Sequence, residues 1–238
     1  MKTYKGETRD IAFDRRLLLR EETAFAVKEA YFRLRTNLTF CLSRDRQRPC
    51  KTFMVTSYNP SEGKSTVTAN IALSFAMLGK KTLIMDCDMR RPMQGKLWDV
   101  KVRYGIAEHL AMQGELEICK VEGELPLYLA VCSGVPNNPT AMLSSEAMKN
   151  LLAKLAEQYD YIIIDTPPLC AMTDGQILAP LMDGVVIVAR SGFTTRENLN
   201  HASKLIVQAG GNLCGITLNQ MVLDTSSKKY GYGGYSYV

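Results

Sequence analysis

The sequence predicts an α/β fold in which a parallel β-sheet is flanked by helices. Its short apolar runs are continuous rather than alternating, which is typical of strands covered on both faces. Helical segments separate several of these runs, as in right-handed βαβ crossovers. The chain has 238 residues, of which 46% are hydrophobic, so it is long enough to bury the core of one large domain.

The expected elements follow one another without an internal repeat or a second core. The predicted strands are residues 52–56, 81–85, 127–131, 161–164, 184–189 and 213–218. The predicted helices are residues 21–42, a helix from the end of the first loop to residue 78, residues 144–158 and residues 195–209. We therefore expect one domain over residues 1–224, with an N-terminal helical extension, and a flexible tail over residues 225–238.

Composition and cysteine usage predict a cytoplasmic protein. The seven cysteines are odd in number, form no CxxC pair and lie partly in apolar runs, where cysteine acts as a small hydrophobe. The first ten residues lack the apolar stretch of a signal peptide. Prolines interrupt the longest uncharged segment, residues 125–145, so we expect membrane recruitment to come from a partner.

The basic residues do not form a nucleic-acid-binding stripe. The net charge is +5, and the arginines are scattered apart from Arg44, Arg46 and Arg48. We interpret that run as a solvated loop, with contact to an acidic partner or a membrane surface as the alternative.

The segment after the first predicted strand has the pattern of a phosphate-binding loop. Gly63, Lys64 and Ser65 lie between a strand and a helix, which is the context of a P-loop. Backbone N–H groups at the helix start would bind phosphates, Lys64 would reach the β and γ oxygens, and Ser65 would ligate Mg²⁺. The alternative is a surface Gly-Lys-Ser tripeptide that arose by chance.

One position departs from the P-loop pattern. Tyr58 stands where the first glycine is expected, so Pro60 and Ser61 must shape the loop instead.

Two acidic residues follow the second predicted strand. Asp86 and Asp88 would both face the crevice at the carboxyl end of the sheet if the strand ends or bends there. One carboxylate could join the Mg²⁺ shell and the other could accept a proton from an attacking hydroxyl. Arg90 would offset phosphate charge, and the alternative is a simple surface turn.

A third motif has the form of a Walker B strand. Residues 161–164 are followed by Asp165 and then by two prolines, which end the strand by removing amide donors. Asp165 would hold Mg²⁺, usually through water, beside Ser65.

The last nine residues contain four of the 11 tyrosines. Glycine makes such a segment costly to order, and termini are usually loose. A loose tail with several phenolic hydroxyls suggests a substrate, with an adhesive or disordered tail as the alternative.

The three motifs and the tyrosine tail together resemble the bacterial protein-tyrosine kinases (BY-kinases). The motifs are residues 60–66, 83–90 and 162–168, and the resemblance runs from Glu29 to Val238. It is most similar to the separate cytoplasmic kinase of capsular or exopolysaccharide systems. The resemblance implies a P-loop NTPase fold of the MinD/ParA type, with ATP and Mg²⁺ as cofactors.

The resemblance also implies roles for individual residues. The residues implied to bind ATP are Ser61, Glu62, Gly63, Lys64, Ser65, Thr66 and Asn219. The implied metal site consists of Ser65, Asp86, Asp88 and Asp165. Catalysis would use Lys64, Asp86, Asp88 and Arg90, with Asp86 preferred as the base and Asp88 second. The implied phosphate acceptors are Tyr230, Tyr232, Tyr235 and Tyr237.

Partners are implied in the same way. The family carries Glu-x-x-Arg-x-x-Arg on its N-terminal helix, which assembles a ring in which one subunit phosphorylates the next. Here Glu29 and Arg35 are present, position 32 is Phe, and Arg33 is turned by about 100° around the helix axis. We expect an oligomer interface at Glu29, Arg33 and Arg35, with an ordinary solvated helix as the alternative. A transmembrane activator of the polysaccharide co-polymerase type, acting through its cytoplasmic segment, and a cognate phosphotyrosine phosphatase complete the implied partners.

Two other functions share this fold. MinD/ParA-type positioning ATPases carry a lysine at the position of Asn59, and its absence argues against that class. A nucleotide-gated adaptor is the other alternative. The sequence favours in-line transfer of the ATP γ-phosphoryl group to a tail tyrosine, which needs positioning and charge neutralisation rather than a Cys or His nucleophile.

Overall fold

A seven-stranded sheet forms the centre of this computed structural model, which describes residues 15–42, 50–121 and 123–221. The strands are β1 (Lys51–Ser57), β2 (Thr82–Asp86), β3 (Ile118–Lys120), β4 (Leu127–Ala130), β5 (Tyr161–Asp165), β6 (Gly184–Arg190) and β7 (Leu213–Asn219). The predicted tail tyrosines and the arginine run at residues 44–48 lie outside the described residues, and the proposed domain boundary at residue 224 stays a prediction.

Eight helices connect and cover these strands in the described part of the chain. They are α1 (Phe25–Leu42), α2 (Lys64–Ala76), α3 (Gln94–Trp98), α4 (Ile106–Leu110), α5 (Pro139–Leu143), α6 (Glu146–Ala156), α7 (Asp174–Leu178) and α8 (Arg196–Gln208). Two single 3₁₀ turns, Arg15–Leu17 and Ala179–Leu181, complete the secondary structure described.

The strand order places the carboxyl ends of three strands next to one another. The order is β3-β4-β2-β5-β1-β6-β7, and all neighbours are parallel except β3 and β4. In the register of the sheet, Asp165 pairs with Val55 on one side and with Asp86 on the other. The carboxyl ends of β1, β2 and β5 therefore meet, which is where open α/β sheets bind ligands.

The predicted α/β class and its six strands are confirmed, and the differences have physical reasons. Strand β3 was not predicted because it has three residues and pairs only with β4, in the antiparallel direction. Helix α1 begins at residue 25 rather than 21. The preceding residues form a turn in which the Arg20 N–H donates to the Thr23 hydroxyl at 2.8 Å.

The expectation that every strand is covered on both faces is wrong for β7. Ile216 and Leu218 are 48% and 52% exposed. The reason is topological, since β7 is the last strand of the sheet and pairs only with β6. Its continuous apolar run could not reveal that position.

Each face of the sheet packs against its own hydrophobic layer. Side chains alternate along β1, so that Met54 lies on one face and Phe53 and Val55 lie on the other. The Phe53 layer includes α1 and α2, and α2 is buried on nearly all sides between the sheet and α1. This packing holds the start of α2 next to the carboxyl ends of β2 and β5.

A polar clamp joins the segment before α1 to the middle of α2. Asn70 is almost fully buried. Its Oδ1 accepts the N–H of Leu19 at 2.8 Å, and its Nδ2 donates to the carbonyl of Leu17 at 2.9 Å. Leu18 and Leu19 are buried in the same layer as α2, so the amide satisfies a Leu19 N–H that has left water.

Membrane-spanning helices are not found in the part of the chain that the structure describes, because none of its helices is both long and apolar enough.

Removing the Asn70 clamp should destabilise the fold. We expect Asn70→Ala to lower the free energy of unfolding by roughly 1–3 kcal/mol, because it leaves the buried N–H of Leu19 unpaired and removes the hydrogen bond to the carbonyl of Leu17. Urea unfolding followed by circular dichroism measures this change. The matched control is Asn150→Ala on the exposed face of α6, and equal stability of the two variants would contradict the clamp.

Candidate active site

The loop between β1 and α2 has the backbone geometry expected of a phosphate cradle. Gly63 caps α2 with a φ of 87°, and Ser61 has a φ of 62°, so both lie in the left-handed region. Ser61 thus makes one of the reversals that shape the loop, in line with the expectation for a segment that lacks a glycine at Tyr58. Backbone N–H groups at the start of α2 are left for an anion.

Glu62 braces this loop from inside the protein. It is fully buried, and its carboxylate accepts the Asn59 backbone N–H at 3.0 Å and the Asn59 side-chain amide at 3.1 Å. The Thr194 hydroxyl also donates to it. A contact between Glu62 and a nucleotide would therefore have to come from its backbone.

Asn219, at the end of β7, contacts the loop between β1 and α2. It is the last residue of that strand, rather than a residue after it, and its Nδ2 donates to the Glu62 carbonyl at 3.0 Å. A Cβ at Gly63 would lie only 2.1 Å from this Nδ2. This close approach adds to the positive φ in favouring glycine at position 63, because a side chain there would displace the Asn219 amide from the Glu62 carbonyl.

Lys64, the first residue of α2, lies among the side chains of Asp88, Ser65 and Asp165. Its Nζ donates to Asp88 Oδ2 at 2.9 Å and to Ser65 Oγ at 3.4 Å, and it lies 4.0 Å from Asp165 Oδ1. Burial alone would lower the pKa of Lys64, but the charges of Asp165 and Asp88 outweigh it and hold that pKa above its ordinary value. The lysine therefore stays a cation.

Two neighbouring carboxylates each leave one oxygen without a hydrogen bond. Asp86 and Asp165 are fully buried. Asp86 Oδ2 accepts the backbone N–H groups of Met93 and Gln94, both at 2.8 Å. Asp86 Oδ1 and Asp165 Oδ1 accept no hydrogen bond from any described residue. Orphaned buried carboxylate oxygens beside the Ser65 hydroxyl are the ligand chemistry that Mg²⁺ prefers.

Burial of these acids favours a proton on the pair when no metal ion is bound. Burial, followed by the charge of Asp165, raises the pKa of Asp86 to about 8. Burial also raises the pKa of Asp165, although Lys64, Ser65 and Gln94 oppose that rise. Two adjacent carboxylates in a dry site cannot both ionise readily, so a divalent cation would compete with that proton.

The predicted metal ligands do not form a cage of protein groups. Within the described ranges, no three His, Cys, Asp or Glu side chains converge as ligands of one metal ion. Asp88 faces the Lys64 ammonium instead of the other two acids. A magnesium ion here would complete its shell with Ser65, water and phosphate oxygens, as Mg²⁺ commonly does.

Arg90 is directed to a neighbouring network. Its Nε donates to Asp174 Oδ2 at 3.2 Å, and its Nη2 donates to Thr140 Oγ1 at 2.9 Å. Thr140 in turn donates to Asp174 Oδ1 at 2.7 Å. The network ties the segment after Asp88 to α5 and α7, and the part of Arg90 in offsetting phosphate charge stays a prediction.

Arg35, predicted for an oligomer interface, makes contacts within its own chain. Its Nη1 donates to the Ser74 carbonyl at 2.6 Å, and its guanidinium lies 4.7 Å from the centre of the Phe32 ring. Phe32 therefore packs against the arginine that follows it by three residues. The interface role of Glu29, Arg33 and Arg35 stays a prediction.

Sequence reasoning missed Gln94. Its side chain is fully buried in the first turn of α3 and reaches both Asp165 and Ser65. No motif marks it, and the only signal was a polar residue in a short segment between recognisable elements.

Comparisons with known proteins identify the family and the fold of the chain. A family model described as "ParA: NUBPL iron-transfer P-loop NTPase" matches residues 50–231. Tyrosine-protein kinase YwqD of Bacillus subtilis (strain 168) is 37% identical over 207 residues, which cover 87% of this chain and 86% of the relative.

Solved structures give the same picture. The chimerical protein CapA2B2 superposes with a TM-score of 0.78 at 31% identity, over 84% of this chain and 88% of that one. The kinase domain of the Escherichia coli tyrosine kinase ETK has a TM-score of 0.78 at 30% identity, over 89% and 80% of the two chains. MinD of Pyrococcus horikoshii OT3, solved with Mg-ADP, has a TM-score of 0.61 at 20% identity, over 71% and 70% of the two chains; this likeness supports the fold alone.

A side chain at position 63 should destroy the cradle. We expect Gly63→Ala to weaken ADP binding at least about tenfold, since the methyl group meets Asn219 and the left-handed φ disfavours alanine. Isothermal titration calorimetry measures the affinity. Gly134→Ala is the matched control, because it has no atom within 4 Å of the added methyl group; equal affinities would contradict the close approach.

The buried acid pair should give the metal-free protein a distinctive pH dependence. An unfolded aspartate has a pKa of about 3.9, whereas the folded pKa of Asp86 is about 8. The stability from this protonation is complete below about pH 4 and is lost as the pH rises through about 8. The free energy of unfolding of the wild type should therefore fall relative to that of Asp86→Asn across this window.

Chemical denaturation in EDTA, without nucleotide, measures the difference at several pH values. Asp99→Asn at an exposed site should run parallel to the wild type. A constant difference between Asp86→Asn and the wild type would contradict the raised pKa.

Proposed function

The chain belongs to the bacterial tyrosine-protein kinases, and on this premise we propose that it transfers the γ-phosphoryl group of ATP to tyrosines of its own C-terminal cluster. The implied acceptors are Tyr230, Tyr232, Tyr235 and Tyr237. The resemblance to this family is confirmed by the comparisons, whereas the acceptor sites rest on the Gly-spaced tyrosines in the sequence of the tail.

The observation that carries the proposal is the pair of orphaned oxygens on Asp86 and Asp165. They lie where β2 and β5 end side by side, beside the start of α2 that offers its N–H groups to phosphates. When bound, Mg²⁺ would neutralise phosphate charge at this position. ATP and Mg²⁺ are therefore the cofactors that the donor set fits.

The chain's own residues would divide the remaining work. Lys64, held as a cation by Asp165 and Asp88, would move its ammonium onto the β and γ oxygens of the nucleotide. Ser65 would offer its hydroxyl to the cation, and the backbone of residues 61–66 would hold the phosphates in line for transfer.

Asp86 is our choice for the base. A tyrosine hydroxyl has a pKa of about 10, so a carboxylate placed to accept its proton is useful. Asp86 Oδ1 accepts no hydrogen bond from any described residue and would be available for this proton. The proton of the hydroxyl would pass to Asp86, the phenolic oxygen would form the new bond to the γ phosphorus, and the bond to the β–γ bridging oxygen would break to leave ADP. Asp88 is the second choice, since Lys64 occupies its Oδ2.

The tail would be phosphorylated by a neighbouring copy. The family resemblance supports transfer between subunits of a ring-shaped homo-oligomer. Four phosphates would bring roughly −6 to −8 charges to the tail at neutral pH, and we expect this charge to loosen the oligomer. We place the protein in the cytoplasm, at the inner face of the membrane, where a transmembrane activator recruits it.

Regulation of capsular or exopolysaccharide synthesis is the cellular role that this resemblance supports. A phosphotyrosine phosphatase would reverse the modification. A positioning ATPase is disfavoured because Asn59, which stands in place of the lysine of that class, is hydrogen-bonded to Glu62 within its own loop.

Loss of Lys64 should abolish transfer without removing the acceptors. We expect wild-type protein with Mg-ATP to gain phosphate on residues 230–237 and Lys64→Ala to gain none, because the variant lacks the cation that meets the β and γ oxygens. Phosphosite mapping by mass spectrometry measures this. ATP hydrolysis with an unmodified tail would favour the positioning ATPase instead.

A mixture of two variants separates transfer between copies from transfer within one. Lys64→Ala keeps its tyrosines, and a second variant keeps Lys64 but carries Tyr→Phe at all four tail positions. Phosphate on the Lys64→Ala chain in the mixture supports transfer between copies, and its absence would contradict it.

A further inference from the structure

Gln94 connects three members of the candidate site. Its Nε2 donates to Asp165 Oδ2 at 2.8 Å and to the Ser65 carbonyl at 3.0 Å. Its backbone N–H donates to Asp86 Oδ2 at 2.8 Å. The side chain is fully buried, so these contacts are made without competition from solvent and are correspondingly strong.

Trp98 determines which way the Gln94 amide points. The indole Nε1 of Trp98, one turn further along α3, donates to Gln94 Oε1 at 3.1 Å. An indole nitrogen can only donate, whereas the Ser65 backbone carbonyl can only accept. The amide therefore has one consistent orientation, with Oε1 toward Trp98 and Nε2 toward Asp165 and Ser65. In the reversed amide, Nε2 would face the indole N–H of Trp98, and Oε1 would face the oxygens of Asp165 and Ser65.

This orientation selects the oxygens that remain for a ligand. The Gln94 side chain donates a hydrogen bond to Oδ2 of Asp165. Its backbone N–H is one of the two donors to Oδ2 of Asp86. The oxygens left without a hydrogen bond are Oδ1 of both acids, and Oδ1 of Asp165 lies 4.0 Å from the Lys64 ammonium. Because Gln94 also donates to the Ser65 carbonyl, it links the start of α2 to the end of β5.

We propose that Gln94 is a positioning residue that orients the Asp165 carboxylate and Ser65 for a magnesium–nucleotide complex, with Trp98 fixing its amide. This inference rests on the proposed function, which supplies the ligand. It adds that the cation site depends on a neutral donor from α3, outside all three sequence motifs.

The residue type is specific for this task. Leucine has a similar size but would leave Asp165 Oδ2 and the Ser65 carbonyl buried without a donor. Glutamate would place a third acid beside Asp86 and Asp165, where like charges already disfavour ionisation. Only a neutral group with both a donor and an acceptor satisfies Asp165, Ser65 and Trp98 together.

The arrangement also provides its own spectroscopic reporter. Trp98 is the only tryptophan of the chain, and its indole is bonded to the residue that holds the candidate magnesium ligands. A change in the position of Asp165 on magnesium binding should therefore alter tryptophan emission through Gln94.

The test measures ADP affinity of the full chain by calorimetry, once with MgCl₂ and once with EDTA. For Gln94→Leu we expect the gain in affinity that magnesium provides to fall about tenfold to a hundredfold, the effect of losing a buried hydrogen bond to a charged group. The affinity in EDTA should change little, since the loop backbone still binds the phosphates. The magnesium-dependent change in Trp98 emission should disappear.

Two further variants make the result interpretable. Trp98→Phe keeps Gln94 but frees its amide, and we expect a severalfold loss of the same magnesium effect; it serves as the test if Gln94→Leu does not fold. Gln158→Leu changes an exposed glutamine and should behave like the wild type.

The outcomes separate this inference from the proposed function. If the wild type binds ADP more tightly with magnesium while Gln94→Leu and Trp98→Phe retain the full gain, the positioning role is overturned and the proposed function stands. Equal losses in magnesium and in EDTA would also overturn it, since they indicate only a general packing role. A wild type with no magnesium effect would overturn the proposed function and this inference together.

Discussion

The burial of Asp86 and Asp165 side by side is the constraint that organises the candidate site. Parallel pairing of β2 with β5 places the two acids opposite each other at the end of the sheet, where both are fully buried. Unpaired carboxylates are costly in such a place. Neighbouring segments lower this free-energy cost by placing the Lys64 cation, the backbone N–H groups at the start of α3 and the Gln94 amide beside the two acids.

These donors satisfy only part of the pair, and the remaining oxygens are the ones that we propose for the cation. A fully satisfied pair would be a structural network with no affinity for a ligand. Here one oxygen of each acid accepts no hydrogen bond from a described residue, and the raised pKa of Asp86 favours a proton on the pair when no metal ion is bound. A site of this kind is stabilised when a cation arrives, which links the unfavourable burial to nucleotide binding.

Contacts outside the acid pair also hold α2 and the preceding loop in position. Its first turn supplies Lys64 and Ser65, and its middle is clamped to the N-terminal segment by Asn70. Asn219 closes the loop from the last strand through the Glu62 carbonyl. The cradle is therefore held by segments from both ends of the described chain, so its shape depends on the whole sheet.

The sequence by itself determined the α/β class, the six longer strands, the loop at Gly63–Ser65 and the acids at the ends of β2 and β5, because each is written in a local pattern. Only the tertiary structure decided that β7 is a half-exposed edge, that Arg35 bonds to Ser74, that Arg90 faces Asp174 and that Gln94 holds Asp165. Strand order and side-chain partners arise from contacts between distant positions, such as the 71 residues that separate Gln94 from Asp165. Local periodicity carries no information about which distant donor will meet a buried acceptor.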